Sequence, residues 1–281
     1  MNESAYGDLE RPPLHETALG RALVRAGGLW RDVRVVAETG STNADLAAAA
    51  REGAPAGTVL ATELQTAGRG RQGRQWTAPA RSGLMFSMLL RPALPVERLG
   101  WIPLLTGVAV ASAVRRMTAR VEAGHFGEAR GDVAVDVRLK WPNDLLVGER
   151  KLAGILAEKV DDAVVVGVGL NVGLREDELP VPTATSLAIE GAPLSDRAPL
   201  LRAILRHFEG WYREWTELGG DPETSGLRTA YKDLCATLGR TVRIDLPGDE
   251  TLSGVASDVD GAGRLVVGDR PVSAGDVVHV R

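Results

Sequence analysis

The loop "QTAGRGRQGRQW", residues 65–76, constrains the fold of this chain more than any other stretch. Its glycines Gly68, Gly70 and Gly73 spell G-x-G-x-x-G, which binds dinucleotides when a strand leads into it and a helix leaves it. The strand is present as "GTVLATEL", but "RQWTAP" follows the last glycine, and its proline opposes a helix there. About 20 residues further on, where an acidic residue would hold the ribose, the sequence reads "LLRPALP". The sequence therefore argues against a Rossmann fold.

The segments around this loop predict a mixed α/β domain. Strands are predicted where β-branched and apolar residues alternate or run together, at residues 33–39, 57–64, 83–92, 133–140 and 163–173. Helices are predicted at residues 41–53, 101–118 and 198–217, the last from an apolar stripe at three- and four-residue spacing. In the first of these helices, Thr42 and Asp45 have the spacing of a capping box.

The pattern of residue types in the sequence changes near residue 236. From there to residue 281, short β runs are separated by Pro-Gly, Asp-Gly and Gly-Asp turn signals. This pattern predicts a small all-β barrel. We therefore expect an N-terminal arm at 1–30, a mixed α/β domain at 31–235 and a β domain at 236–281.

Composition excludes several classes of protein. A net charge of -4 is unfavourable for a chain that grips nucleic acid over its whole surface. With Cys235 as its single cysteine, the chain can form neither an internal disulfide nor a thiolate zinc cluster, and its four histidines are scattered. The first 20 residues lack the basic and apolar segments of a signal peptide, and no stretch is long and apolar enough to span a bilayer. We expect a cytoplasmic protein without membrane contact.

Three arginines, Arg69, Arg71 and Arg74, give the loop its chemistry. Guanidinium groups pair bidentately with carboxylate or phosphate, and glycines let a backbone approach a ligand closely, so a lid over an anion is one interpretation. A solvated surface loop is another. RNA binding is a third, although it would favour repeated Arg-Gly units, interleaved aromatic residues and a basic surround.

A second cluster lies in "KWPNDLLVGERKLAGILAE", residues 140–158, which is predicted to form a hairpin around Gly148. Asn143 and Asp144 offer oxygen ligands of the kind that Mg²⁺ prefers, and Lys140 and Lys151 flank them. Taken alone, this segment fits equally well a turn with solvated lysines. Together with the arginine loop, it favours a site for anionic substrates.

At this point the sequence resembles the biotin protein ligases, or holocarboxylase synthetases. The resemblance extends from Val35 to the C-terminus and is carried by "ETGSTN" (38–43), the loop at 65–76, residues 140–158, "VVVGVGLNV" (164–172) and "ATSL" (184–187). It implies a mixed-sheet α/β catalytic domain followed by an SH3-like barrel. It also implies that ATP and biotin react, with Mg²⁺, to biotinyl-AMP and pyrophosphate, and that biotin then passes to a lysine of a biotin carboxyl carrier domain, for example of acetyl-CoA carboxylase.

The resemblance also implies roles for individual residues. Lys151, Arg71 and Lys140 would be catalytic, and Asp144 would hold Mg²⁺. The biotin site would comprise Ser41, Thr42, Asn43, Gln65, Arg69, Gly70, Arg71, Lys151 and Gly154. The ATP site would comprise Arg69, Arg71, Arg74, Trp76, Lys140, Asn143 and Asn171. A polar group for the ureido ring and cations for the anions are what these substrates require.

The sequence departs from the family at three places. Some 34 residues precede the first matched strand, too few for the winged helix of the regulatory members, so we expect no DNA binding. Residues 120–132 resemble a surface insertion, and Gln72 stands where the family often has a basic residue. A monomer and a homodimer remain equally compatible with the sequence.

Two alternative functions remain open at this point. A lipoate or octanoyl ligase shares the superfamily fold but would be expected to lack "GRGRQGR" joined to "KWPND". A non-enzymatic biotin- or RNA-binding module would use the arginine loop as its contact surface and would not turn over ATP.

Overall fold

A computed structural model describes residues 11–121, 131–132, 135–192, 194, 196–246 and 250–280. The helices of these residues are α1 Glu16–Leu23, α2 Thr42–Arg51, α3 Trp101–Thr118, α4 Ala198–Glu217 and α5 Leu227–Leu234. The strands are β1 Asp32–Val36, β2 Thr58–Thr62, β3 Gly83–Leu90, β4 Arg120–Val121, β5 Gly131–Asp132, β6 Val137–Lys140, β7 Asp144–Val147, β8 Arg150–Val160, β9 Ala163–Asn171, β10 Thr241–Asp245, β11 Thr251–Val259, β12 Leu265–Val267, β13 Arg270–Val272 and β14 Asp276–His279.

A seven-stranded sheet forms the larger domain, in the order β1-β2-β3-β9-β8-β7-β6. Only β1 and β2 pair in parallel, because α2 carries the chain from one to the other; the remaining neighbours are antiparallel. The expected mixed-sheet α/β domain is thereby confirmed, and the sheet lacks the parallel order of a Rossmann fold.

Helices cover both faces of the sheet. Val59, Met88 and Val166 pack with the residues of α3 and α4, whereas Leu60 and Leu89, one position along each strand, pack with α2. Successive side chains of a strand point to opposite faces, which accounts for the division. It also explains why β3 is buried along its whole length.

The C-terminal domain is a five-stranded antiparallel sheet in the order β13-β12-β11-β10-β14. This confirms the expected all-β unit. Two tryptophans of the larger domain hold it in place: Trp101 Nε1 donates to the carbonyl of Gly261 at 3.0 Å, and Trp141 Nε1 donates to that of Gly263 at 3.0 Å. Buried indole N–H groups need such partners, so the two domains have a defined relative position.

The local predictions differ from the structure at two helices and one strand. The strand expected at 133–140 is β6 at Val137–Lys140, and residues 133–134 lie outside the described residues. Ser41, not Thr42, caps α2, because the Ser41 side chain accepts from the backbone N–H of Ala44. Helix α5 was not expected, although Leu227, Tyr231 and Leu234 are buried at helical spacing. Of the expected insertion at 120–132, only β4 and β5 are described and they pair with each other; residues 122–130 lie outside the described residues.

None of the helices in the described part of the chain is long and apolar enough to cross a membrane.

Candidate functional site

One cavity of about 260 Å³ collects nearly all the site residues that the sequence predicts. It lies where the start of α2, the arginine loop, the β6–β7 turn, strands β8 and β9 and strand β14 meet. Those of the predicted residues that line it are Ser41, Thr42, Asn43, Gln65, Arg69, Gly70, Arg71, Arg74, Trp76, Lys140, Asn143, Asp144, Lys151 and Gly154. The two distant motifs at 65–76 and 140–158 are therefore neighbours in space.

A hydrogen-bonded polar group occupies one end of the cavity. The backbone N–H of Thr42 donates to Oε1 of Gln65 at 2.9 Å, and Thr42 Oγ1 lies 3.1 Å from the same oxygen. A backbone N–H can only donate, so the carbonyl side of the Gln65 amide must face α2. The Nε2 group, on the opposite side of the Gln65 amide, is therefore the hydrogen-bond donor that does not face α2.

Asn43 is held in the same network. Its Nδ2 donates to the carbonyl of Leu156 at 3.1 Å and to Glu158 Oε2 at 2.7 Å, and its Oδ1 accepts from Ser87 Oγ at 2.6 Å. Both amide protons are used, which leaves Asn43 one acceptor lone pair for a ligand. A cyclic urea presents N–H donors and a carbonyl acceptor, so Gln65 and Asn43 together complement it.

Glycines form the floor beside this polar group. Gly154 of β8 and Gly169 of β9 are direct cross-strand partners, and the Trp76 ring lies on both. A Cβ at Gly169 would come within 2.4 Å of the Trp76 ring, and one at Gly154 within 3.2 Å. Only glycine leaves room for the indole there. The indole and the two glycines therefore form an apolar wall of the cavity.

Cationic side chains gather at the other end of the cavity. Lys151 Nζ lies 2.7 Å from Asp144 Oδ1 and 5.8 Å from the centre of the Trp76 ring. Arg71 Nη1 donates to Asn143 Oδ1 at 3.0 Å. Burial lowers the pKa of the Arg71 guanidinium, with Asp144 opposing the shift. The described residues that line the cavity include two carboxylates, Asp144 and Asp276, and both are paired with cations, so the arrangement suits anionic substrates.

The surroundings of Lys140 lower the pKa of its side chain. Burial lowers the pKa of its ammonium; Asp144 opposes the shift and Lys151 adds to it. Lys140 consequently loses its proton at a lower pH than a free lysine does.

We expect the Lys140→Arg variant to keep its kcat/KM for ATP to higher pH than the parent, because a guanidinium stays protonated. The measurement is the pH profile of ATP-dependent pyrophosphate release, with Lys159→Arg, on an exposed part of β8, as the control. Identical alkaline limbs for all three proteins would show that the charge of Lys140 is not needed.

The arginine loop is folded over the cavity. Gly70 N–H donates to the carbonyl of Arg74 at 2.6 Å, and Trp76 N–H donates to that of Gly68 at 2.9 Å. A Cβ at Gly68 would lie 2.3 Å from the Trp76 carbonyl oxygen, so this crossing requires glycine. Gln72 and Gly73 take the left-handed conformation, with φ of 53° and 73°. The glycines thus shape a closed turn that aims its arginines at the site.

Asn171 is the one predicted site residue that the structure does not bring to the cavity. It is buried, and its Nδ2 donates to the carbonyl of Thr185 at 2.9 Å. Its motif reaches the cavity through Gly167 and Gly169 instead. A contact of Asn171 with the nucleoside stays a prediction.

Sequence reasoning missed two contributions to the site. Asp276, Val277 and Val278 of β14 line the cavity from the C-terminal domain, and Ser87 of β3 links Thr42 to Asn43. The buried run at 83–90 predicted a strand, and its one serine among apolar residues was a usable signal. Nothing in the short β14 run indicated where it would dock.

The fold and the cavity define an α/β ligase-type domain with an appended β domain, and comparison with known proteins agrees. Residues 37–174 match the Biotin/lipoate A/B protein ligase family, and residues 237–280 match the Biotin protein ligase C terminal domain. The biotin acetyl-CoA-carboxylase ligase of Mycobacterium tuberculosis is 44% identical over 98% of both chains. The biotin protein ligase of Aquifex aeolicus, solved with biotin and ATP, superposes with a TM-score of 0.70 at 26% identity, covering 90% of this chain and 100% of that one. The chain therefore belongs to the biotin protein ligase family.

Proposed function

We propose that this chain is an ATP-dependent ligase that activates biotin as biotinyl-AMP and transfers it to a lysine of a biotin carboxyl carrier domain. The observation that carries the proposal is a single cavity with a urea-complementary group at one end and cations at the other. Its full-length similarity to a named biotin acetyl-CoA-carboxylase ligase supports biotin over lipoate. The same similarity supports a carrier domain of an acyl-CoA carboxylase as the acceptor.

In the first step the biotin carboxylate attacks the α-phosphorus of ATP, and pyrophosphate leaves. The carboxylate and the ATP phosphates are both anionic, so their mutual repulsion raises the activation barrier of this step. Lys151, Lys140 and Arg71 lower it by holding positive charge where the phosphorane charge grows. Asp144 fixes the ammonium of Lys151, and Asn143 fixes the guanidinium of Arg71, so neither cation has to reorganise during the reaction.

In the second step the acceptor lysine attacks the carbonyl of the mixed anhydride, and AMP leaves. Water would attack the same carbonyl, so the intermediate must be covered until the acceptor arrives. The arginine loop and Trp76 lie over the cavity and supply this cover. The acceptor lysine must then reach the site as a free amine.

Asp144 fits the part of a magnesium ligand. Its Oδ1 is paired with Lys151 Nζ at 2.7 Å, and an ionised carboxylate has about four lone-pair sites, so Asp144 keeps acceptor capacity for a cation. No group of three or more His, Cys, Asp or Glu side chains within the described ranges could hold a metal by itself. A single carboxylate suits Mg²⁺ brought in with nucleotide phosphates, where it would screen their charge.

We expect Asp144→Asn to raise the Mg²⁺ concentration for half-maximal adenylation by about tenfold, because a carboxylate ligand of Mg²⁺ is lost. Asp162→Asn, which removes an exposed carboxylate at the β8–β9 turn, serves as the control. If Asp144 only orients Lys151, kcat falls at every Mg²⁺ concentration and the half-saturation point does not move.

The proposed function is tested by incubating the protein with ATP, Mg²⁺, biotin and a biotin carboxyl carrier domain. Pyrophosphate release and a mass increase on the acceptor lysine are expected. Transfer of lipoate but not biotin would favour the lipoate ligases. Salt-sensitive RNA binding without ATP turnover would favour a binding module.

A further inference from the structure

An ion pair joins the arginine loop to the C-terminal domain. Arg74 Nη2 contacts Asp276 Oδ2, and both residues line the cavity. Arg74 is the last of the three loop arginines, and Asp276 begins strand β14. The contact therefore links the arginine loop, which covers the site, to the C-terminal domain. The described residues of that domain supply no cationic side chain to the cavity.

Asp276, one partner of this ion pair, belongs to a domain whose position is fixed by several hydrogen bonds. Besides the two indole hydrogen bonds from Trp101 and Trp141, the backbone N–H of Trp141 donates to Thr237 Oγ1 at 3.1 Å. Strand β14 is held by four register pairs to β10, which is the second-to-last strand of its sheet. Asp276 thus projects from a rigid body, whereas Arg74 belongs to a loop.

Besides the hydrogen bonds at its start, three contacts hold the second half of the loop over the cavity. Arg71 binds Asn143, the Trp76 ring rests on the glycine floor, and Arg74 pairs with Asp276. Arg71 and Trp76 act within the catalytic domain and touch residues that substrates must approach. The Arg74 contact is the one that reaches across to the other domain.

We propose that Asp276 is a positioning residue through which the C-terminal domain holds the arginine loop closed over the activated intermediate. The inference rests on the proposed function, since it concerns retention of biotinyl-AMP. A carboxylate beside a nucleotide site is otherwise unfavourable, because it repels phosphate. Pairing with Arg74 neutralises it, and a guanidinium with five N–H donors keeps some of them for a phosphate.

The expected effect is moderate because Arg74 is largely exposed, with 63% of its side chain accessible. Ion pairs in such positions shift equilibria by about two- to fivefold. We expect Asp276→Asn to release preformed, radiolabelled biotinyl-AMP about two to five times faster than the parent, with an unchanged melting temperature. Raising the salt concentration should speed release from the parent and have little effect on the variant.

Control variants separate this role from others. Glu250→Gln breaks the exposed ion pair with Arg270 in the same domain and should leave release unchanged. In a double-mutant cycle, Asp276→Asn should add nothing to the faster release of Arg74→Met, which also loses the donors that Arg74 keeps for a phosphate. The charge-reversed pair Arg74→Asp with Asp276→Arg should recover part of the retention.

Release that is unchanged in Asp276→Asn, or additive effects of the two substitutions, would overturn the inference. A lower KM for ATP with unchanged release would do so as well, since Asp276 would then act only by repelling phosphate. A parent protein that forms no biotinyl-AMP at all would instead refute the proposed function, so the two failures are distinguishable.

Discussion

Lys151→Ala is expected to reduce the rate of biotinyl-AMP formation by about 10²- to 10³-fold. Lys151 places an ammonium at the charged end of the cavity, 2.7 Å from Asp144. Without it, the attack of a carboxylate on a phosphate proceeds with one fewer fixed cation. Asp144 also loses its ion-pair partner, so its negative charge repels both substrates more strongly.

The measurement is single-turnover formation of biotinyl-AMP with saturating ATP and biotin. Lys159→Ala removes an exposed lysine from the same strand and should retain the parental rate. The Nζ of Lys159 donates to the carbonyl of Asp161 at 2.9 Å, outside the residues that line the cavity. Melting temperatures check that both variants are folded. A Lys151→Ala protein with the parental rate would remove this lysine from the catalytic group.

The sequence predicted those parts of the fold in which the conformational preferences of neighbouring residues determine the secondary structure. The proline and the Ser-Gly pair that follow the arginine loop oppose a helix, and the structure continues there into β3. The Asp-Gly signal at residues 260–261 separates β11 from β12, which pair antiparallel, whereas the Pro-Gly signal at 247–248 lies outside the described residues. The boundary at residue 236 stays a prediction, although the matched C-terminal domain begins at residue 237.

The rest of the site is assembled by contacts that no residue pattern in the sequence indicates. Trp101 and Trp141 fix the C-terminal domain through backbone carbonyls, which every residue carries. The position of Asp276 follows from that docking, so a pattern search along β14 could not find it. Asn171 shows the reverse case: a polar residue in a matching motif is turned away from the cavity by its bond to Thr185.

The structure also changes the interpretation of the polar motif at 41–43. As separate residues, Ser41, Thr42 and Asn43 were three candidates for a urea contact. In the structure Ser41 caps α2, Thr42 sets the orientation of Gln65, and Asn43 offers one lone pair. We therefore propose that Gln65 and Asn43 contact the ligand, with Thr42 holding Gln65 and Ser87 holding Asn43.

Gly167→Ala is expected to raise the KM for biotin about 10- to 100-fold, because it disrupts this polar group. A Cβ at Gly167 would lie 2.1 Å from Asn43 Oδ1 and 2.9 Å from its Cγ. Asn43 cannot retreat without losing its bonds to Leu156 and Glu158, and a buried polar group that loses its partner costs about 1–3 kcal/mol. The charged end is untouched, so the KM for ATP should change far less.

Pyrophosphate release measured against biotin concentration at saturating ATP, and then against ATP at saturating biotin, separates the two effects. Gly173→Ala provides the matched control just beyond β9, since a Cβ there meets its nearest atom at 3.8 Å. Equal rises in both KM values would point to general damage of the sheet. An unchanged KM for biotin in a folded Gly167→Ala protein would mean that Asn43 and Gln65 do not bind the urea ring, and the polar end of the cavity would need another ligand.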